Sequence, residues 1–147
     1  FDLYCGIGTI GIFASPKIKN LYGIETIPEA IEDAKGNAKL NNINNVEFVV
    51  GDTEFAFDEL INVRNIVPNV VMVDPPRKGL DNRSIYNILK IKPDRVVYIS
   101  CNPATLVRDL AKLEEVYEVR EIQPIDMFPF TSHVECCSVL YLKDSIQ

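Results

Sequence analysis

Short apolar runs alternate with longer amphipathic stretches along the whole chain, and this alternation constrains the fold more than any single residue does. It is the pattern of βα units laid around a mostly parallel sheet. Strands are expected near residues 1–4, 21–25, 46–50, 69–74, 95–100, 116–125 and 134–142. Pro28 to Leu40 reads as a helix with proline at an early position and Ile31, Ala34 and Ala38 on its inner face. Further helices are expected at 81–90 and 104–113. The last two strands are separated only by Met127-Phe128-Pro129-Phe130-Thr131-Ser132-His133, with no helix between them, so they should pair as an antiparallel hairpin. Asn41-Asn42-Ile43-Asn44-Asn45 reads as a helix exit and turn without chemistry of its own.

A chain of 147 residues with 47% hydrophobic and 24% charged side chains is expected to form one compact domain with a substantial core. No apolar run approaches a membrane span. Phe1-Asp2-Leu3-Tyr4-Cys5-Gly6 already reads as a strand entering a turn, so the chain is expected to be cut from a longer protein. Four cysteines without a C-x-x-C pair and a single histidine, His133, speak against a metal site and suit reduced thiols in a cytoplasmic setting. The net charge of -6 excludes a general nucleic-acid binder, so an RNA substrate would be held largely by other parts of the protein.

Several positions carry chemistry. Gly6, Gly8 and Gly11 spell G-x-G-x-x-G at the first strand-to-helix turn, where a missing Cβ lets a ligand approach the backbone. Glu25 ends the second strand, where an acid can accept ribose hydroxyls. This pair alone suits NAD as well as any other adenosine cofactor, and a glycine turn needed only for packing is the plain alternative. Asp52 and Asp74 each follow a β-rich run and should sit at strand carboxyl ends, with a helix N-cap as the other role open to Asp52. Pro75 and Pro76 after Asp74 fix a rigid loop, made locally basic by Arg77, Lys78 and Arg83, a feature that suits a phosphate or a solvated charge cluster. Cys101 ends an apolar strand and precedes Asn102-Pro103 and a helix, a location that favours the thiolate, whereas Cys5, Cys136 and Cys137 read as inert.

Taken together, Asp2-Leu3-Tyr4-Cys5-Gly6-x-Gly8-Thr9, Gly23-Ile24-Glu25, Asp74-Pro75-Pro76-Arg77, Ser100-Cys101-Asn102-Pro103-Ala104-Thr105 and Asp126-Met127-Phe128-Pro129 with His133-Val134-Glu135 resemble the RNA uracil-5-methyltransferase family, in family order over nearly the whole chain. The resemblance implies a doubly wound, Rossmann-like methyltransferase fold with a mostly parallel seven-stranded sheet ending in an antiparallel hairpin. It implies S-adenosyl-L-methionine as cofactor, with Tyr4, Glu25, Asp52 and Asp74 lining its pocket and Thr9 beside it, Cys101 as nucleophile on uracil C6 and Glu135 as general base. The expected substrate is a uridine of ribosomal or transfer RNA. Phe130 stands where the family usually has histidine, and a cofactor-contacting glutamine and RNA-binding parts of the family lie outside this sequence. Two rival readings are a dinucleotide-binding oxidoreductase and a non-catalytic RNA-binding module on the same scaffold.

Overall fold

The computed structural model describes residues 1–143. They fall into two compact units, Phe1–Ile66 and a second beginning at Val67.

The first unit contains β1 (Asp2–Leu3), α1 (Thr9–Ala14), a 3-10 turn (Ser15–Lys17), β2 (Leu21–Glu25), α2 (Pro28–Leu40), β3 (Val46–Val50) and α3 (Thr53–Asn62). Its strands lie in the order β3-β2-β1 and all run parallel, with Asp2 opposite Gly23 and Leu21 to Glu25 opposite Val46 to Val50. Helix α2 begins at Pro28, whose ring presets the first helical φ and whose missing N–H would have had no partner there. Its buried face is Ile31, Ala34 and Ala38, as the spacing predicts, packed with Cys5 and Phe48.

Helices α1 and α3 were not among the elements expected from periodicity. Thr9-Ile10-Gly11-Ile12-Phe13-Ala14 is poor in helix formers. It is helical because Gly11 packs where no side chain fits: a Cβ there would lie 2.5 Å from Leu21 Cδ2 and 2.8 Å from Asp2 Oδ2. The buried Asp2 carboxylate also accepts the Gly11 N–H at 3.0 Å. In α3 the buried residues Ala56, Phe57, Leu60 and Ile61 follow a helical spacing that the sequence does show.

The second unit contains β4 (Val70–Val73), α4 (Asn82–Ile91), β5 (Arg95–Ser100), α5 (Pro103–Leu113), β6 (Tyr117–Ile125) and β7 (Glu135–Leu142). The strand order is β4-β5-β7-β6. Strands β4 and β5 are parallel, while β7 is antiparallel to both β5 and β6, with a bulge between Val119 and Glu121. The mostly parallel arrangement finished by an antiparallel hairpin is thus as the sequence predicts.

At the centre of this unit Asp109 of α5 is fully buried. Its Oδ2 accepts the Leu80 N–H and the Tyr98 hydroxyl, both at 2.8 Å. Its Oδ1 accepts Arg108 Nε at 2.9 Å and a second Arg108 nitrogen at 2.8 Å. A buried carboxylate is tolerable only with such a set of donors.

Two outcomes test these assignments. Gly8, at φ +82 with Phe48, Ala34 and Ile12 atoms 3.0–3.2 Å from a built Cβ, should lose more stability as Gly8→Ala than Gly6 does as Gly6→Ala, since Gly6 (φ +53) has nothing within 4 Å. The expected losses are about 2–4 kcal/mol against about 1–2 kcal/mol, the difference being the steric contact. Asp109→Ala leaves two buried donors unpaired and should cost about 2–5 kcal/mol. Urea denaturation measures all three.

Candidate active site

In the first unit the turn after β1 is built from left-handed residues. Tyr4, half-buried, has φ +65, and Gly6 and Gly8 follow at φ +53 and +82. A tyrosine in this region costs about 1–2 kcal/mol relative to right-handed backbone, and such strain gathers at ligand sites. The turn is tied back by Cys5 N–H to Ile24 O at 2.9 Å and Gly8 N–H to Cys5 O at 2.8 Å.

Glu25, the last residue of β2, closes the turn. Its Oε1 accepts from Thr26 N (2.7 Å), Thr26 Oγ1 (2.9 Å) and Ile27 N (3.1 Å), and its Oε2 accepts the Gly6 N–H at 3.1 Å. The carboxylate is therefore oriented before any ligand arrives, and Oε2 retains a lone pair for a hydroxyl donor. Asp52 caps α3: its Oδ1 accepts the Glu54 N–H at 3.1 Å, while the residue stays exposed. Thr9 is the exposed first residue of α1.

Cys5 shows how the same turn silences a thiol. Burial, reinforced by the nearby Asp2 and Glu25 carboxylates, pushes it up to about 12. Burial also raises the Cys137 thiol, with Glu121 adding to the shift.

In the second unit the ends of β4 and β5 and the start of β7 form one edge. Asp74 follows β4 directly, and Pro75-Pro76 carry the chain away from it without helix, as expected. Ser100 closes β5, and its hydroxyl both donates to Asn102 O (3.0 Å) and accepts the Asn102 N–H (3.1 Å), fixing the turn on which half-buried Cys101 sits. The Asn102 side chain then caps α5 through Ala104 N–H at 3.1 Å. Ladder pairs between β5 and β7 end at Ile99–Cys137 and Ser100–Cys136, so Cys101, which follows β5, and Glu135, the first residue of β7, both lie at this end of the ladder. The Asp74 carboxyl is raised above its ordinary range, first by burial and then by the charge of Glu135, so these two acids sense each other.

The loop after Asp74 is gripped by one face of α5. Asn102 Nδ2 and Thr105 Oγ1 donate to Arg77 O (3.1 and 3.3 Å), Arg108 donates to Lys78 O (2.8 Å), and Lys112 Nζ donates to Asn82 Oδ1 (3.0 Å). Positions 102, 105, 108 and 112 share a helical face. Sequence reasoning did not identify Asn102, Thr105, Arg108 and Asp109 as positioning residues, although their three- and four-residue spacing was visible.

The β6–β7 turn exposes Met127, Phe128 and Phe130, the last fully exposed at φ +67. Thr131 Oγ1 donates to Phe128 O at 2.7 Å and accepts His133 N–H at 3.2 Å, giving the histidine backbone a structural bond. Among the described residues no group of three or more His, Cys, Asp or Glu side chains could hold a metal ion. Nor is any described helix long and apolar enough to cross a membrane.

The family model for tRNA (uracil-5-)-methyltransferases matches residues 1–143. The chain belongs to this family. It is 53% identical to a protein of Halalkalibacterium halodurans named "Uncharacterized RNA methyltransferase", over 97% of this chain and 31% of that protein. A similarly named protein of Clostridium acetobutylicum is 55% identical over 92% of this chain and 29% of its own length. This family member thus spans less than a third of these curated relatives. Among solved structures, the Pyrococcus abyssi tRNA (uracil-54, C5)-methyltransferase in complex with S-adenosyl-L-homocysteine matches with TM-score 0.80 and 37% identity, over 95% of this chain and 33% of that one. A dimethyladenosine transferase from Plasmodium falciparum, 17% identical with TM-score 0.69 over 98% of this chain and 55% of that one, shares the fold alone. The Rossmann-like methyltransferase fold implied by the sequence is the fold of this family member.

The crowded acids have a measurable consequence. A carboxyl raised in the folded state favours folding below its unfolded pKa and loses that advantage as pH rises through the folded value. Asp74→Asn should therefore be more stable than the parent at neutral pH, by less than about 1 kcal/mol because Asp74 reaches solvent. The gain should vanish below about pH 4. Denaturation curves at the two pH values supply the comparison.

Proposed function

We propose that the protein containing this chain transfers the methyl group of S-adenosyl-L-methionine to C5 of a uridine in RNA, through a covalent bond between Cys101 and C6 of the base. The observation that carries the reading is the end of the β5–β7 ladder, to which the strand register brings both a thiol and a carboxylate, the thiol on a locked turn. Family membership and the Pyrococcus abyssi neighbour support the same chemistry.

The chain's own residues suit that cofactor. The preset Glu25 carboxylate, with capacity at Oε2, fits ribose hydroxyls beside the left-handed turn at Tyr4, Gly6 and Gly8. Asp52, exposed after β3, and Asp74, after β4, are assigned to the cofactor on the family resemblance. The mutual repulsion of Asp74 and Glu135 favours a cation between or near them, and the sulfonium is one. When bound, the cofactor supplies an electrophilic methyl group.

Cys101 Sγ adds to C6 of uracil, and the electron pair released to C5 makes that carbon nucleophilic. C5 takes the methyl group as its bond to the sulfonium sulfur breaks, leaving a neutral thioether, and then carries both methyl and proton. Glu135 removes the C5 proton, the ring double bond re-forms, and the bond from Sγ to C6 breaks to return the thiolate. Each residue thus has its own step.

In the full-length protein, Cys101→Ala should abolish both methyl transfer and any adduct with uridine-containing RNA. Glu135→Gln should allow addition and methylation but slow release by about 10²–10⁴-fold, so a methylated RNA–protein adduct accumulates on denaturing gels. An adduct persisting in Cys101→Ala would remove the nucleophile assignment, and normal turnover by Glu135→Gln would remove the base.

A further inference from the structure

A second concave feature lies in the unit that carries Cys101. A cavity of about 390 Å³ is lined by Lys78, Gly79, Asp81, Asn82, Arg108 and Lys112 among others. Its floor is preformed, because Gly79, at φ +76, lies flush on α5: a Cβ there would come within 2.5 Å of Asp109 Oδ2 and 2.6 Å of an Arg108 nitrogen.

The balance of charge is cationic. The Asp81 carboxylate is turned to its own helix, accepting Ser84 N–H and Ser84 hydroxyl at 2.7 Å each. Arg108 is committed to Asp109 and to the carbonyls of the loop. That leaves Lys78, exposed, and Lys112, whose hydrogen-bond partner is the neutral Asn82 amide. Among the described residues neither lysine is ion-paired, on a chain whose net charge is -6. Two ammonium groups without an ion pair, lining a preformed hollow in an acidic protein, favour an anion.

We propose that this cavity seats a backbone phosphate of the substrate RNA, held by Lys78 and Lys112. The proposal rests on the uracil-5 reading of the neighbouring site. Its geometry is set by α5: Cys101 precedes the helix and Lys112 lies near its far end, roughly 15 Å along the axis. A strand with its uridine at Cys101 can therefore pass over the cavity within a few nucleotides. Lysines act as point charges without a bidentate fork, so the contact positions the strand without reading its bases.

The test uses the full-length protein and a short uridine-containing single-stranded RNA, with affinity followed across a salt titration. The double variant Lys78→Gln/Lys112→Gln should bind on the order of tenfold more weakly at low salt, with a log–log salt slope shallower by about 1. Lys78→Arg/Lys112→Arg should restore the slope. The single glutamine variants give the same readout in part should the double variant fold poorly. A slope unchanged from the parent, while the parent still forms 5-methyluridine, overturns the phosphate site and leaves the catalytic reading standing. A shallower slope with no 5-methyluridine formed by the parent supports the phosphate site and overturns the catalytic reading instead. Tight binding of inorganic phosphate, with RNA affinity untouched by the substitutions, assigns the cavity to a free anion and overturns the proposal.

Discussion

The arrangement of the second unit depends on one buried charge. Asp109 has no exposed surface, yet its carboxylate accepts the Leu80 N–H, the Tyr98 hydroxyl and two Arg108 nitrogens together. Burial and the neighbouring carboxylate both raise the Tyr98 hydroxyl, which therefore keeps its proton and remains a donor. The result joins strand β5, helix α5 and the loop after Asp74 at one point. Since only Cys101 and Asn102 link β5 to the start of α5, the thiol's freedom is restricted from both sides. Committing Arg108 to Asp109 has a second effect, because it leaves the positive character of that surface to lysines.

The glycine turn illustrates why a motif spelling underdetermines chemistry. Gly6 and Gly8 serve backbone conformation, and Gly8 serves packing as well, whereas Gly11 is needed only because α1 lies against Leu21 and Asp2. None of the three contacts requires a particular cofactor. What narrows the reading is the company the turn keeps: a carboxylate already oriented at Glu25, and in the other unit a thiol and an acid that an oxidoreductase would leave without purpose.

The strands and helices α2, α4 and α5 were legible because their signals are local: β-branched runs, Pro28 at the first turn, and Asp81 and Asn102 as caps. Helix α3 carries the same kind of signal, and Asp52, open in the sequence to a ligand role or a helix N-cap, forms the cap. That a helix follows the glycine turn was legible from the turn, but the bounds of α1 were not, since its propensity is poor and its stability comes from tertiary contact. Cys101 and Glu135 could be named from their segments, but their juxtaposition is a matter of strand register. Register between β5 and β7 is set by pairing that spans a helix and a whole strand, and no local pattern reports it.

The electrostatics of the second unit follow a division of labour. Acids that support structure are saturated, Asp109 by buried donors and Asp81 by the N-terminus of its own helix. The pair that is not so relieved, Asp74 and Glu135, stands beside the thiol, where like charges raise the cost of ionising Asp74. Neutralising one of them would serve stability at neutral pH, whereas on the proposed reading the pair supplies a negative field for a cationic methyl donor and, at Glu135, a base for the proton. The same field would repel a phosphodiester arriving at the nucleophile. On that reading an RNA strand is better anchored away from the reacting uridine, and Lys78 in the loop and Lys112 near the far end of α5 are placed to supply the positive charge.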